Sequence, residues 1–403
     1  MRKTNLSFYE NARVIGWFAM AVLCSLPGAV AQNVIEPVAG VPEQPVDIVS
    51  LKRLFNWGPV SLRPPTVNYS FTYGTGVQAQ PGQPQDSIIQ TYSAGIPFTI
   101  GTHWALMYSP SLTFYSNELF NTTFNHGVSL SGQTTYENWS FGLSQSYAPS
   151  SSALIETGRQ TDSESFSTGL SAGYQINSKA SLNFGLSQNI RSADKFNSSR
   201  DWAMTDGFNY QFSPQFGAGV SISAGYTDVN QGSDMTYEQL NGHVSWQPTD
   251  KLSASVSAGG EMRQFLDTEA QSLINPTFGA TVSYKPVEVT TIYVSASRGV
   301  SASYFTNQVT ESTSLSVGVQ QRILKHFQLG VSGGYHTSTY VSANPGLATA
   351  RDDSGFSLGA SLGFGFLKRA NFSAFYNYSE NSSSQSDFAF ASTQVGFSVG
   401  YAF

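Results

Sequence analysis

The residues that could perform acid–base or metal chemistry are few and far apart in this chain. None of its histidines has the spacing to another histidine, or to a pair of carboxylates, that a zinc site requires. The sequence also has no phosphate-binding loop or dinucleotide fingerprint. We therefore expect no metal and no cofactor. The five histidines are His103, His126, His243, His326 and His336.

Two segments, residues 169–173 and 330–334, match the G-x-S-x-G pattern of serine hydrolases. In those enzymes the serine occupies a sharp turn between a strand and a helix. Both segments here lie where small and apolar residues alternate, which is typical of a β-strand. We interpret them as strand residues and predict that the protein is not an enzyme.

Composition excludes several other classes. Charged residues make up 11% of the 403 residues, whereas about 25% is usual for soluble globular proteins. Aromatic residues make up 13%, which is too many for a disordered chain. The formal net charge of −6 is mild and argues against a nucleic-acid partner.

Residues 1–31 have the pattern of an export signal. Arg2 and Lys3 give a basic start, an apolar stretch follows, and residues 29–31 (Ala-Val-Ala) fit a small-x-small cleavage site. The apolar stretch is shorter than the roughly 20 residues of a spanning helix. Cys24 is the one cysteine of the sequence, so a chain cleaved here contains no thiol.

From residue 65 onward, apolar residues alternate with small or polar residues in segment after segment. This period of two is typical of strands with one apolar face and one polar face. The alternation predicts eighteen strands, although the boundaries also allow sixteen. The predicted strands are residues 66–74, 87–97, 102–115, 123–135, 138–147, 165–176, 180–190, 202–212, 216–226, 237–246, 251–260, 277–284, 288–298, 311–321, 326–338, 355–366, 371–379 and 392–403.

The last stretch, residues 392–403 (STQVGFSVGYAF), alternates most strictly and ends on an aromatic residue. It resembles the C-terminal signature of bacterial outer-membrane β-barrels, whose last strand is read by the barrel assembly machinery. The resemblance implies that Phe397, Tyr401 and Phe403 form this assembly signal. It also implies a location in the outer membrane of a Gram-negative bacterium.

The connections between the predicted strands alternate in length and charge. Short turns carry lysine and arginine, as at Lys179 and Lys251, whereas the longer loops carry acidic residues. Tyr174, Tyr210, Trp246 and Tyr284 recur just before short turns, which is typical of an aromatic girdle at a membrane interface. We predict an all-β fold, a transmembrane antiparallel up-and-down β-barrel over residues 65–403, with both termini in the periplasm.

Residues 32–64 form a proline-rich segment ahead of the barrel, in which regular structure is interrupted. Within it, residues 47–57 (DIVSLKRLFNW) have the spacing of a short amphipathic helix. Such a helix would enter the pore or contact a periplasmic partner. The other interpretation, which we favour, is a linker.

The inner face of the predicted barrel carries small, neutral residues and no evident ring of charges. Eighteen strands leave an aqueous channel, and neutral hydrogen-bonding groups suit uncharged hydrophilic solutes. Small neutral residues also line wide barrels without any such specificity, so both interpretations stand. The candidate lumen-lining residues are Asn183, Ser187, Gln239, Asn241, His243 and Ser255.

Two predicted extracellular loops could narrow this channel. Residues 148–164 form the longest loop. Residues 261–275 place Phe265, Leu266, Leu273 and Ile274 near helical spacing. An apolar stripe on an extracellular loop needs cover, so we expect this loop to fold inward as a constriction.

The stretches MYSPSLTFYSNE, HGVSLSGQ and STGLSAGYQINSKASLNFGLSQ, within residues 105–188, resemble the putative β-barrel porin type 2 family. The resemblance implies an outer-membrane channel, with a link to exopolysaccharide export. The expected partners are a hydrophilic solute, outer-membrane lipid and lipopolysaccharide. A non-transport barrel, structural or adhesive through its loops, is the alternative. The solute, the transport direction and the oligomeric state are left open.

Overall fold

The structure, a computed structural model, describes residues 54–266, 272–342 and 351–403. Eighteen long strands form a closed antiparallel barrel in which each strand pairs with its neighbours in the chain. Two short strands precede it. The strands are β1 (Phe55–Trp57), β2 (Val60–Leu62), β3 (Thr66–Gln80), β4 (Gln83–Ile100), β5 (Trp104–Tyr115), β6 (Thr123–Tyr136), β7 (Trp139–Leu154), β8 (Arg159–Gln175), β9 (Ala180–Ala193), β10 (Ser199–Ser213), β11 (Phe216–Val229), β12 (Met235–Thr249), β13 (Leu252–Phe265), β14 (Leu273–Val287), β15 (Thr290–Ala302), β16 (Gln308–Ile323), β17 (Phe327–Ser342), β18 (Arg351–Phe366), β19 (Ala370–Ser383) and β20 (Phe390–Ala402).

The last strand closes the barrel against the first long one. In the pairing of β20 with β3, Phe397 lies opposite Phe71, and their rings stack with centroids 5.6 Å apart. Phe372 of β19 stacks on the other side of Phe397 at 5.9 Å. The seam is therefore covered by aromatic contacts on the same face along three strands. The predicted up-and-down barrel of eighteen strands is confirmed.

The two ends of the barrel differ. At the end that holds the C-terminus, called here the short-turn end, the strands are joined by residues 101–103, 137–138, 176–179, 214–215, 250–251, 288–289, 324–326 and 367–369. The opposite end, called the loop end, has on average the longer connections, including residues 116–122, 230–234, 303–307 and 384–389. Bacterial outer-membrane barrels keep short turns in the periplasm and longer loops outside. The loop end is therefore the end that the predicted orientation places outside the cell.

The outer surface carries the apolar residues. Val256 of β13 is 49% exposed and lies opposite Val244 of β12 and Ala280 of β14. Trp246 and Tyr284 extend this face near the short-turn end and are also exposed, as an aromatic girdle requires. In the described part of the chain, no helix is long and apolar enough to cross a bilayer.

The described part of the N-terminal segment is a small hairpin rather than a helix. Strand β1 pairs with β2, and β2 pairs with the short-turn end of β4. The predicted amphipathic helix over residues 47–57 is therefore wrong for Phe55–Trp57, and residues 47–53 lie outside the described residues. Strand β2 forms because β4 extends beyond β3 and offers free backbone groups there, and Phe55–Trp57 then pair with β2.

Candidate functional site: the barrel lumen

The inner face of the barrel wall is opposite to the exposed apolar face. Ser255 neighbours Val256 along β13, so its side chain points to the other side of the sheet. Its Oγ lies 2.7 Å from Oγ1 of Thr281 on β14. The strand pairing places Asn183, Ser187, Gln239, Asn241, His243 and Ser255 on this inner face.

Several of these predicted lining residues form lateral hydrogen bonds along the wall. Gln239 Nε2 donates to Thr277 Oγ1 at 3.2 Å, and that hydroxyl donates to Asn241 Oδ1 at 2.9 Å. Nε2 of His243 lies 2.5 Å from Asn209 Oδ1. The ladders connect strands β10 to β14, so they hold the polar side chains against the wall.

Large rings on the inner face lie over glycines of the neighbouring strand. Tyr293 of β15 covers Gly318 of β16, and His243 of β12 covers Gly219 of β11. A Cβ atom at either glycine would lie well inside van der Waals contact with the ring. Glycine at these two positions therefore lets the ring lie flat and keeps the lumen wide.

A recess of about 550 Å³ lies beside Tyr293 in the short-turn half of the wall. Its polar lining includes the amide of Gln211 and the hydroxyls of Ser255, Thr281 and Ser295. An aromatic surface with neutral hydrogen-bonding groups can contact both the apolar and the hydroxylated faces of a polar solute.

The loop-end half of the interior holds arginine–carboxylate pairs instead. Nε of Arg263 lies 2.8 Å from Oε1 of Glu261, and the two side chains are 4% and 6% exposed. Nη2 of Arg351 lies 3.1 Å from Oδ2 of Asp353, and these side chains are 5% and 0% exposed. Each pair lies within one strand at a spacing of two residues, so both partners face the same side.

Each of three loop-end arginines also lies over a tyrosine ring. The guanidinium carbon is 4.8 Å from the Tyr237 centroid for Arg263 and 3.9 Å from the Tyr340 centroid for Arg351. Arg191 lies 4.0 Å from the Tyr304 centroid. Such stacking stabilises a partly desolvated guanidinium. The sequence analysis did not select these arginines, because all three lie outside the predicted strands.

The predicted constriction segment, residues 261–275, is not helical where the structure describes it. Phe265 ends β13 and Leu273 begins β14, and the helical prediction is wrong for these strands. Phe265 is buried against Val229, Met235, Val300 and Val309, with Leu273 packed beside this cluster.

The other two candidates from this segment lie elsewhere. Ile274 is 77% exposed, on the outer face with Phe278 and Ala280 by strand alternation. Leu266 follows β13 and donates its backbone N–H to the Asp234 carbonyl. Residues 267–271 lie outside the described residues.

The predicted long loop over residues 148–164 is mostly strand. Strands β7 and β8 stay paired from Ala148 opposite Ser165 up to Leu154 opposite Arg159, so only residues 155–158 turn. The polar run of serines and threonines was interpreted as a loop. In the structure it belongs to β7 and β8, which continue past the apolar belt of the barrel. The hairpin β7–β8 is therefore a long arm at the loop end.

The tip of this hairpin reaches residues of distant strands. Oε1 of Glu156 accepts hydrogen bonds from Ser303 Oγ and from the Tyr304 backbone N–H, both at 2.6 Å. Nη1 of Arg351 donates to the Glu156 carbonyl oxygen at 3.0 Å. Burial raises the pKa of Glu156, and Arg191 opposes this shift by charge attraction. Burial likewise raises the pKa of Tyr304.

The histidines and the G-x-S-x-G segments show no catalytic arrangement in the structure. Residues 169–173 and 330–334 lie within β8 and β17 without a turn. Among residues 54–266, 272–342 and 351–403, no group of three His, Cys, Asp or Glu side chains could hold a metal ion. Tyr108 Oη lies 2.6 Å from His126 Nδ1, on the outer face by strand alternation.

A closed antiparallel barrel with an apolar, aromatic outer surface and a polar interior is a Gram-negative outer-membrane β-barrel. Its width and its polar lumen make it porin-like. The barrel fold points to a channel rather than an enzyme.

Residues 208–403 match the family model described as Putative beta-barrel porin 2. The resemblance to that family is thereby confirmed. The matched residues lie C-terminal to residues 105–188, the region whose sequence patterns suggested the resemblance. No curated protein matches the chain.

The chain also matches solved structures from Pseudomonas aeruginosa and Acinetobacter baumannii. The Pseudomonas aeruginosa protein OpdO is 14% identical, with 84% of this chain and 96% of that chain covered and a TM-score of 0.47. P. aeruginosa OccK2, solved in complex with glucuronate, is 13% identical, with coverage of 85% and 98% and a TM-score of 0.47. Acinetobacter baumannii OccAB3 is 9% identical, with coverage of 84% and 99% and a TM-score of 0.45.

Proposed function

We propose that the protein is an outer-membrane channel for hydrophilic, uncharged solutes such as saccharides. The observation that carries this proposal is the neutral inner wall of the middle and the short-turn half of the barrel. There, hydroxyl and amide groups of Gln239, Asn241, Thr277 and Thr281 point into the barrel or bond along its wall. Such groups exchange hydrogen bonds with water and with sugar hydroxyls at little cost.

The charges of the loop-end half support the same solute class. Arg263 and Arg351 each pair with a carboxylate of their own strand, so each pair contributes little net field. Ion-selective pores instead present rings of one charge sign. A solute would therefore meet local dipoles rather than a charged filter.

The test is solute flux through the purified, refolded barrel in liposomes. We expect swelling in solutions of neutral mono- and disaccharides, and weak ion selectivity in planar bilayers. Sugar phosphates of similar size are the matched probes, and they should enter more slowly. Flux that favours the charged sugars would contradict the proposed solute class, and absence of all current would contradict the channel.

The link to exopolysaccharide export belongs to this proposal, and the similarity to the porin family supports it. Deleting the gene should lower the amount of polysaccharide outside the cell. Complementation with the intact gene should restore it. An unchanged amount in the deletion strain would separate this protein from polysaccharide export.

The second candidate function is a structural or adhesive barrel that acts through its loops. The meeting of the β7–β8 tip with Ser303 and Tyr304 favours it, because packed loops form a stable outer surface. Single-channel conductance separates the two functions. A barrel that conducts steadily is a channel, whereas a silent barrel that still mediates adhesion is the alternative.

We also propose that residues 1–31 are an export signal, that residues 32–64 lie in the periplasm, and that lipopolysaccharide surrounds the loop end. Replacing Phe403 by serine should leave export intact and lower insertion by the assembly machinery. Heat-modifiable, protease-resistant barrel in the membrane measures insertion. Replacing the outward-facing Phe366, away from the last strand, is the control. Equal levels in both variants would count against the assembly signal.

A further inference from the structure

The tip of the β7–β8 hairpin is joined to the β15–β16 loop across the mouth of the barrel. Strand β15 follows β7 by eight positions in a ring of eighteen strands, so the two hairpins start from nearly opposite walls. They still meet through Glu156, Ser303 and Tyr304. This contact therefore spans the loop-end opening.

Two arginines hold the two sides of this contact in place. Nη2 of Arg191 donates to the carbonyl oxygens of Ala302 at 2.8 Å and Ser303 at 3.3 Å. Its guanidinium also covers the Tyr304 ring. Arg351 fixes the backbone of the hairpin tip at Glu156. The Glu156 carboxylate therefore binds donors that are already held in position, and it lies between the positive charges of Arg191 and Arg351.

The apolar part of the contact is small by comparison. Leu154, Ala193 and Tyr304 form one buried cluster, with Phe196 packed against it. A permanent cap would bury a larger apolar area, because apolar burial gains free energy without a matching desolvation penalty. Charged groups that are buried together recover little more than the cost of desolvating them. The charged part of the contact therefore adds little net free energy to docking.

We propose that the β7–β8 hairpin is a gate over the loop-end mouth, closed in this structure, and that Glu156 is its latch. The proposal rests on the proposed channel function. Released, the hairpin stays paired as β7 and β8, and its tip leaves Ser303, Tyr304 and Arg351. The solute then enters beside the arginine–tyrosine stacks.

Two substitutions at Glu156 measure how strongly the latch favours the closed channel. Glu156→Ala removes both hydrogen bonds to Oε1, and hydrogen bonds to a charged group correspond to about a tenfold or larger shift in the ratio of open to closed channels. Glu156→Gln keeps an acceptor for Ser303 and Tyr304 but removes the charge near Arg191. We expect open probability to rise in the alanine variant and to stay at or below the native value in the glutamine variant, because burial raises the pKa of Glu156 and so favours a neutral side chain in the docked position.

The decisive experiment is a reversible cross-link. Glu156→Cys and Ser303→Cys are combined and bridged by a short bifunctional methanethiosulfonate, because the glutamate side chain spans this gap. Cys24 is the one native cysteine and lies in the predicted leader, so the reagent should act at the introduced pair. The matched control is Ser151→Cys with Asp162→Cys, which lie opposite each other within the hairpin itself. Folding of every variant is verified by heat modifiability before bridging.

We expect the 156–303 bridge to remove most of the current and reductant to restore it. The control bridge should leave the current unchanged, because it does not tie the hairpin to the opposite wall. Bridged 156–303 channels that conduct like unbridged ones would overturn the gate and leave the channel intact. Absence of current in every variant, reduced or not, would overturn the gate and the channel function together.

Discussion

The two halves of the lumen are stabilised by different interactions. In the short-turn half, neighbouring strands share neutral hydrogen bonds such as that between Ser255 and Thr281. In the loop-end half, Arg263 and Arg351 are buried with carboxylates and tyrosine rings. A neutral wall keeps its stability when one member changes. A buried charge network loses stability when one member is removed, because the partner keeps its desolvation penalty.

This difference indicates where function can vary. Polar substitutions in the short-turn half should change what the wall presents to a solute and leave the barrel intact. Substitutions among the loop-end charges should disturb the hairpins that meet there. The four predictions that follow test this contrast, from the largest expected effect to the smallest.

The largest effect is expected from breaking one buried pair. Glu261→Ala leaves Arg263 buried without its carboxylate, at a cost of about 3–5 kcal/mol in the free energy of unfolding. Denaturant unfolding of the refolded barrel measures it. The control is the double variant Glu261→Leu with Arg263→Met, which should be close to the native protein. Equal losses in the single and double variants would contradict a charge-based contrast.

The second prediction compares two neighbouring residues of β13. Val256→Arg puts a charge into hydrocarbon and should cost about 2–4 kcal/mol near the bilayer midplane. Ser255→Arg faces the wet lumen, so it should change stability little and shift the pore toward anions. Unfolding and reversal potentials measure the two effects.

Cysteine variants at the same two positions verify the faces. Ser255→Cys should react with a small water-soluble thiol reagent in intact membranes, and Val256→Cys should be protected. The reverse pattern would show that the face assignment of β13 is wrong.

The third prediction concerns the width of the short-turn half. Gly318→Val places a Cβ where the Tyr293 ring now lies, so the ring must move into the lumen and lower the conductance. Overpacking of this kind costs about 1–3 kcal/mol. Adding Tyr293→Ala should restore conductance. Gly299→Val is the control, since its Cβ would meet no atom within 4 Å, and an equal loss there would refute the ring-based explanation.

The smallest effect is expected from pH. Burial raises the pKa of Glu156 in the docked hairpin, so docking is favoured below the ordinary carboxyl pKa and loses that advantage as the pH rises through the raised value. Arg191, Tyr304, Tyr340 and Arg351 are the other charged or titratable groups around it. Conductance should therefore fall on acidification across this window. Glu156→Gln should abolish the dependence, and an unchanged pH profile in that variant would exclude Glu156 as its source.

The strands and their faces could be predicted because a period of two persists in the sequence wherever one face meets lipid. Val256 and Ser255 already show this in two adjacent residues. The last strand was equally clear, since the aromatic residues of segment 392–403 all fall on one face. The barrel follows from repeated short-range patterns, and each strand pairs with its neighbours in the chain.

The loop-end contacts could not be predicted, because they join residues with no local signal. Glu156 and Ser303 lie 147 residues apart in sequence. The spacing of Phe265 and Leu273 imitated a helix because two strands of one hairpin each contribute an inward apolar residue. The sequence carried one sign of these inward charge pairs. It is a spacing of two residues between the partners, Glu261 with Arg263 and Arg351 with Asp353.

Asp206 departs from the apolar pattern of the outer face in mid-strand. Asp206 of β10 lies between Phe184 and Ile222, so its carboxylate is on the lipid-facing side. The alternation of the sequence places it there, but the apolar character of its neighbours gives no reason for a charge. We have no physical account of it.

The seam between β20 and β3 has a consequence for how the protein is made. Phe71 meets Phe397, so the ring cannot close until almost all of the chain has left the ribosome and crossed the inner membrane. Until then, β3 and the most recently added strand present unpaired backbone edges, which in water invite pairing with other chains. Closure between residues so distant in sequence is also slow. The chain is therefore most vulnerable to aggregation during transit, and holding chaperones of the periplasm should matter more for its yield than the stability of the finished barrel.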